Sequence, residues 1–357
     1  MFGLPRHGAA VILAAVSSFS CVLAANNHTY LNHALNATDI LIQKWWDADT
    51  GRFDHYWWQT ASIITTLADL SVVDSRATDF ATQHWNQTYT IAPTTNNNTW
   101  TNIYYDDSGW WALAWIKVYD ITQEIKYLDT AELIFEDMIT GLGSDCGGQW
   151  WTTDRTYTAT ISNQLFFATA AALGNRVSHK GHEYKAYASG TLNWLKNSGL
   201  LTANNTFLDG RDATDGCKLV GPAWTYNQGV ILGGLVEYYA LTHDKAEIEF
   251  AHSIAQGTID TLTDDMGILT EDGYPNPLNE DRAIFKGIFA RNLGYLHSAF
   301  PKDSYKTFLQ RNADSIWVRG RAKNGLVGPN WQGPLRAAFV TTQASAVDAF
   351  IAAAVAS

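Results

Sequence analysis

Asp106 and Asp107 stand side by side in the run YYDDSGWW, Tyr104 to Trp111, just before a long apolar stretch of helical character. Two neighbouring like charges are costly to bury without partners. At a helix start they would meet free backbone N–H groups and the positive end of the helix dipole, which tolerate negative charge. Paired carboxylates beside flat aromatic side chains suit acid/base or nucleophilic work on a sugar. The plainer alternative is a helix cap, a common use of Asp.

Aromatic residues gather at comparable places along the chain. Tyr56, Trp57 and Trp58, then Tyr104, Tyr105, Trp110 and Trp111, then Trp150 and Trp151, Trp224 and Tyr226, and Trp331 all fall just before or at the start of apolar runs. Any single Trp is well explained as core packing. Several pairs with polar neighbours (Gln59, Asn163, Asn227, Gln228 and Lys286) point instead to a surface that grips sugar, since rings stack on C–H faces while their N–H and O–H groups still donate.

The elements that must position these residues are helices. Six nearly continuous apolar runs begin near Trp58, Trp110, Ser162, Tyr226, Ile284 and Thr342, roughly 50–65 residues apart, a length that fits a two-helix repeat with loops. A helix apolar on every side is buried on every side. Between these runs lie segments with one apolar stripe: Ile125, Leu128, Ala131, Phe135 and Met138; Tyr184, Ala188, Leu192 and Leu195; Ala251, Ile254, Ala255 and Ile259; Tyr305, Phe308, Leu309 and Ile316. Leu31, Ala34, Leu35, Leu41 and Ile42 open the series, and Arg76 to Tyr89 is its weakest member. Strand signals are scarce. The pattern predicts an all-α fold of six helical hairpins, closed into an (α/α)6 barrel, with an open solenoid as the alternative. If the inner helices run the same way, their N-termini share one rim, where the acids and most of the fifteen Trp residues meet.

Composition sets the setting. Hydrophobic residues make up 46% of the 357 and charged ones only 17%, so a large core and little disorder are expected. Residues 1–25 read as a secretory signal: Arg6 and His7, apolar Ala9 to Val16 and Cys21 to Leu23, then small Ala24 and Ala25. One catalytic domain would occupy residues 26–357. Without Cys21, the pair Cys146 and Cys217 predicts one disulfide in an exported protein, against two unrelated buried thiols. Asn27, Asn36, Asn86, Asn97 and Asn204 begin glycosylation sequons. The net charge of -11 without a basic cluster argues against nucleic acid and anionic membrane as partners. A neutral ligand and a monomer fit better.

Other chemistries have weak support. No HExxH or CxxC spacing suggests a metal, no GxSxG an α/β-hydrolase, and no Walker A or strand-linked GxGxxG a nucleotide. No cofactor is expected. The acidic tracts Asp209 to Asp215 and Asp264 to Asp272 lack EF-hand spacing and read as solvated loop acids.

The blocks YYDDSGWWALAWI, CGGQWW, TISNQLFF, WTYNQGVILGG, IFKGIFARNL and QASAVDAF, in this order, resemble glycoside hydrolase family 76 over most of the chain. The resemblance implies an (α/α)6 barrel and retaining, endo-acting hydrolysis of α-1,6-linked mannan. It also implies Asp106 as nucleophile and Asp107 as general acid/base. Asn163, Tyr226 and Asn227 match sugar-site positions, and Phe285 and Lys286 match the Phe-Lys of the fifth block. With the aromatic rim, the expected substrate-binding set is Trp57, Trp58, Gln59, Tyr105, Trp110, Trp111, Trp151, Asn163, Tyr226, Asn227, Phe285 and Lys286. One departure is visible: three glycines before the aromatic become Gly147, Gly148 and Gln149, which bears on subsite number and product length.

Asp106 is expected to stay ionised and Asp107 protonated, because two acids this close do not both ionise freely. Three rivals stand beside the hydrolase: a cell-wall transglycosylase acting on mannose-containing glycans, a lyase or other six-hairpin hydrolase on the same barrel, and an inactive glycan-binding protein. After Asp348 the chain has no polar spacer and long hydrophobic tail, so an unanchored secreted or cell-wall protein is expected.

Overall fold

A computed structural model describes residues 25–271 and 279–357. The signal segment, apart from Ala25, lies outside them, as do Cys21 and Asp272. Twelve α-helices fill the described residues. Six alternate ones are α1 (Ala25–Trp45), α3 (Thr78–Ile91), α5 (Ile125–Ile139), α7 (Gly181–Asn197), α9 (Lys245–Thr261) and α11 (Asp303–Ser315). Between them run α2 (Trp58–Val73), α4 (Tyr105–Thr122), α6 (Thr160–Arg176), α8 (Thr225–Thr242), α10 (Phe285–Ala299) and α12 (Val340–Val355). Each helix of the second set packs on the next, and α12 returns to α2, so the inner ring closes. The fold is the (α/α)6 barrel; the open solenoid is excluded.

Burial explains which helices are inside. In α6 every residue from Thr160 to Gly174 is buried, and in α12 every residue from Val340 to Ala354. Such helices can sit only between other helices. Two glycines set how closely they approach. A Cβ on Gly229 would lie 2.7 Å from the Phe289 Cα, and one on Gly287 would lie 2.5 Å from the Ser345 Cα. The outer helices bury one stripe each: Tyr184, Ala188, Leu192 and Leu195 in α7, and Tyr305, Phe308 and Leu309 in α11, with Ile316 in the turn that follows. Ile125 departs from its expected stripe and is 60% exposed, because it opens α5 before that helix meets the inner ring. Leu35, Ile42 and Ile259 are only half-buried.

Short strands were not legible beforehand. Trp46–Asp47 (β1) pairs with Arg52–Phe53 (β2), while Tyr157–Ala159 (β3), Gly210–Asp212 (β4) and Lys218–Val220 (β5) form an antiparallel sheet in that order. Three residues carry too little alternation to register as a strand. Cys146 and Cys217 are joined, Cα to Cα 5.4 Å, fastening the loop before Trp150 to this sheet.

Candidate active site

The paired acids lie in the first turn of α4, which starts at Tyr105, five residues before the Trp110 at which the apolar run begins. The N-cap position belongs to Tyr104, which is extended and makes no side-chain cap bond, so neither acid is the capping residue. Their surroundings differ. Oδ2 of Asp106 accepts the indole N–H of Trp151 at 3.1 Å, and the N–H groups of Asp106 and Asp107 also favour its charge. Oδ2 of Asp107 accepts the Asn102 amide at 2.7 Å, and Asn102 is itself fixed by the Tyr104 N–H at 2.7 Å. Burial raises the pKa of both acids; for Asp107 the charge of Asp106 adds to burial. The donors therefore favour negative charge on Asp106, and repulsion favours a proton on Asp107.

Both acids face a cleft of about 440 Å³ lined by first-turn residues from α2, α4, α6, α8 and α10. The N-termini of these inner helices thus meet at one rim, as expected. Helical rotation splits each Trp pair. Trp58 and Trp110 line the cleft and stack on each other at 5.3 Å. Trp57 and Trp111 turn the other way, 5.0 Å apart, into a cluster with Trp100 and Trp115. Tyr226 lies flat on Phe285, centroids 3.8 Å apart, to form a second wall. Tyr104, Trp151 and Tyr157 make a third.

Of the residues expected to bind substrate, Trp58, Gln59, Trp110, Trp151, Tyr226 and Phe285 line the cleft with the acids. Trp57, Tyr105, Trp111, Asn163, Asn227 and Lys286 are not in its lining. Tyr105 is buried against Gly141, its hydroxyl 3.2 Å from that of Thr140. Asn163 accepts the Gln149 N–H at 2.7 Å and donates to the Gln149 and Ala159 carbonyls, so it staples the loop carrying Trp151. Gln149 itself donates to the Met138 carbonyl at 2.6 Å and points into the protein body. Asn227 is fully buried. Lys286 donates to the Pro329 carbonyl at 2.7 Å over the Trp331 ring, and burial lowers its pKa to about 7.

Sequence reasoning missed Tyr157, Asp209 and Asp281. Asp209 corrects the reading of its tract as solvated: its Oδ2 accepts the Tyr157 hydroxyl at 2.7 Å, and burial raises its pKa. Oδ1 of Asp281 accepts the Trp58 indole at 3.0 Å and the Gln59 amide at 2.5 Å. Their loops carry no pattern, and only the adjacency of Asp281 to the Phe-Lys block offered a signal. Among the described residues, no three His, Cys, Asp or Glu side chains converge to hold a metal ion.

A closed helical barrel whose mouth sets paired acids between aromatic walls has the parts of a glycosidase. Residues 47–357 match the model of glycosyl hydrolase family 76, and the chain belongs to that family. It is 28% identical over 223 residues to mannan endo-1,6-alpha-mannosidase DFG5 of Saccharomyces cerevisiae, covering 58% of this chain and 48% of that protein. To DCW1 of the same yeast, also a mannan endo-1,6-alpha-mannosidase, it is 27% identical over 254 residues, 63% of this chain and 54% of that one. The chain thus spans about half the length of these curated relatives. The GH76A α-1,6-mannanase of Salegentibacter sp. HEL1_6 shares the fold, with a TM-score of 0.82 at 22% identity over 92% of this chain and all of that one. The same enzyme is known as an inactive variant with two consecutive aspartates replaced by alanine, in complex with an α-1,6-linked mannose tetramer. Dfg5 from Chaetomium thermophilum, in complex with glucosamine, superposes with a TM-score of 0.75 at 17% identity, covering 92% and 90% of the two chains.

Proposed function

We propose that this chain hydrolyses α-1,6-mannosidic bonds within mannan by a retaining double displacement. The observation that carries the proposal is the pair Asp106 and Asp107, adjacent in a sugar-sized cleft yet held by different donors. Asp106 attacks the anomeric carbon while Asp107 protonates the departing oxygen; Asp107 then takes a proton from the water that releases the glycosyl group. The indole of Trp151 orients the nucleophile. Stacked rings on two walls offer apolar faces to a neutral hexose chain. The names of the yeast relatives and the paired-aspartate variant of the bacterial neighbour support the same reading.

Incubation with linear α-1,6-mannan tests it. The expected result is short manno-oligosaccharides whose new reducing ends begin in the α configuration by NMR. Asp106→Asn and Asp107→Asn should each lower kcat by roughly 10³-fold or more while keeping the fold. Full activity in Asp106→Asn would refute the assignment, and saturable binding without cleavage would favour a glycan-binding role.

Transfer to a second sugar is the other reading, favoured by the glucosamine held in the Chaetomium neighbour. Added glycan acceptors would then yield longer products in place of free reducing ends. Export of a monomeric, single catalytic domain fits the disulfide and the exposed sequons at Asn36, Asn86, Asn97 and Asn204. Asn27 is buried and a poor glycan acceptor. No described helix is long and apolar enough to cross a membrane.

A further inference from the structure

Two carboxyls in the cleft have no part in double displacement, and one is fixed by hydrogen bonds in the same lining as the dyad. Asp281 lies just ahead of α10, and its Oδ1 is gripped by two donors from the start of α2, the Trp58 indole at 3.0 Å and the Gln59 amide at 2.5 Å. Both donors line the cleft, so the Trp58 indole and the Gln59 amide, expected to meet sugar, are spent on this acid. None of the cleft-lining residues is a Lys, Arg or His. We propose, building on the mannosidase reading, that Asp281 is a positioning residue for the dyad: its fixed carboxylate keeps Asp106 and Asp107 from ionising together.

The physical basis is repulsion in a partly desolvated space. A third negative charge penalises a doubly ionised pair more than a singly ionised one. Burial is the main cause of the raised pKa of both Asp106 and Asp107, and the charge of Asp281 adds to it at each. Other groups facing the site do not substitute for it. Asp209 is engaged by Tyr157, and Tyr226 is held neutral by burial. Tyr104 also lines the cleft. Arg282, stacked 4.4 Å over the Trp224 ring, is the cation whose charge reaches both Asp209 and Asp281. On the far flank the Tyr56 hydroxyl is bonded to Glu280. Burial raises the pKa of Asp281 itself, while its two donors and Arg282 oppose that rise.

The test is the pH dependence of kcat/KM on α-1,6-mannan for the wild type, Asp281→Asn and Asp281→Glu, beside ¹³C titration of the Asp carboxyls in the substrate-free proteins. Asp281→Asn keeps an oxygen for Trp58 and Gln59 but loses the charge. Removing it lowers the pKa of both dyad members. The acid limb, set by ionisation of Asp106, and the alkaline limb, set by deprotonation of Asp107, should then both move to lower pH by roughly one unit. Asp281→Glu should restore the wild-type limbs, which a merely structural role does not require. Unmoved limbs in an active Asp281→Asn enzyme would overturn the proposal and leave the mannosidase reading intact. If the wild type does not cleave mannan, that reading fails, and the carboxyl titration decides alone: lower dyad values in Asp281→Asn sustain the proposal, unchanged values end it.

Discussion

The two aspartates at the start of α4 are the same residue type on neighbouring Cα atoms, and only their donors and each other's charge distinguish them. Asn102 is the clearest lever. Its amide stabilises the ionised form of Asp107, opposing burial and the charge of Asp106. Asn102→Ala removes that help, so the pKa of Asp107 rises further. Asp107 works as an acid when protonated, so the alkaline limb of kcat/KM should shift to higher pH while the acid limb stays. The lost orientation should lower kcat by about tenfold to a hundredfold. A pH–rate profile of the variant checks this, and a shift toward lower pH would contradict it.

Across whole elements, amide side chains clamp the loops that lead into the inner helices. Asn163 near the start of α6 holds the Gln149 N–H, Gln228 in α8 holds the Phe207 N–H at 2.7 Å, and Gln343 in α12 holds the Val327 N–H at 3.0 Å. Each clamped residue closes a small β-bridge: Leu142 with Gln149, Leu201 with Phe207, Arg321 with Val327. These amides stand at the fourth residue of α6, α8 and α12, because the loop before each of these helices leaves the same buried backbone groups to satisfy. Polar residues at inner-helix starts therefore serve two purposes, and their type alone does not separate sugar contact from clamp. Gln228→Ala would leave the Phe207 N–H and carbonyl without their partner and cost about 2–4 kcal/mol. A lowered Tm with unchanged limbs in the pH–rate profile is the expected result. A change in the limbs without loss of Tm would point to contact with substrate instead.

At the scale of the molecule, the barrel is open and acidic at one end and tied by ion pairs at the other. Near the C-terminal ends of the inner helices, Lys117 meets Asp69 at 2.8 Å, and Arg176 meets Asp120 at 2.6 Å and Glu237 at 3.0 Å. The aromatic cleft is held differently, by loops that run far along the chain. The Cys146–Cys217 bond spans 71 residues and links the loop before Trp151 to the sheet bearing Tyr157. Replacing both cysteines by serine should lower stability by about 4 kcal/mol in the chain-entropy model. Thermal or denaturant unfolding measures this directly. An unchanged midpoint would mean that the bond does not restrict the unfolded chain as that model requires.

The repeat, the alternation of buried and one-sided helices, the acidic pair and the disulfide could all be read along the chain, because each is a matter of periodicity or of residue type within a short window. Which Trp of each pair faces sugar could not, since Trp57 and Trp58 differ by one helical step and the ring position of α2 decides the side. Nor could Asp209 and Asp281 be found: each stands in a loop without pattern and gains its setting from donors far off in sequence, Tyr157 for one and Trp58 with Gln59 for the other. Local pattern determined the helices and the dyad. Closure of the ring, which brings residues more than two hundred positions apart within hydrogen-bond reach, decided what surrounds the dyad.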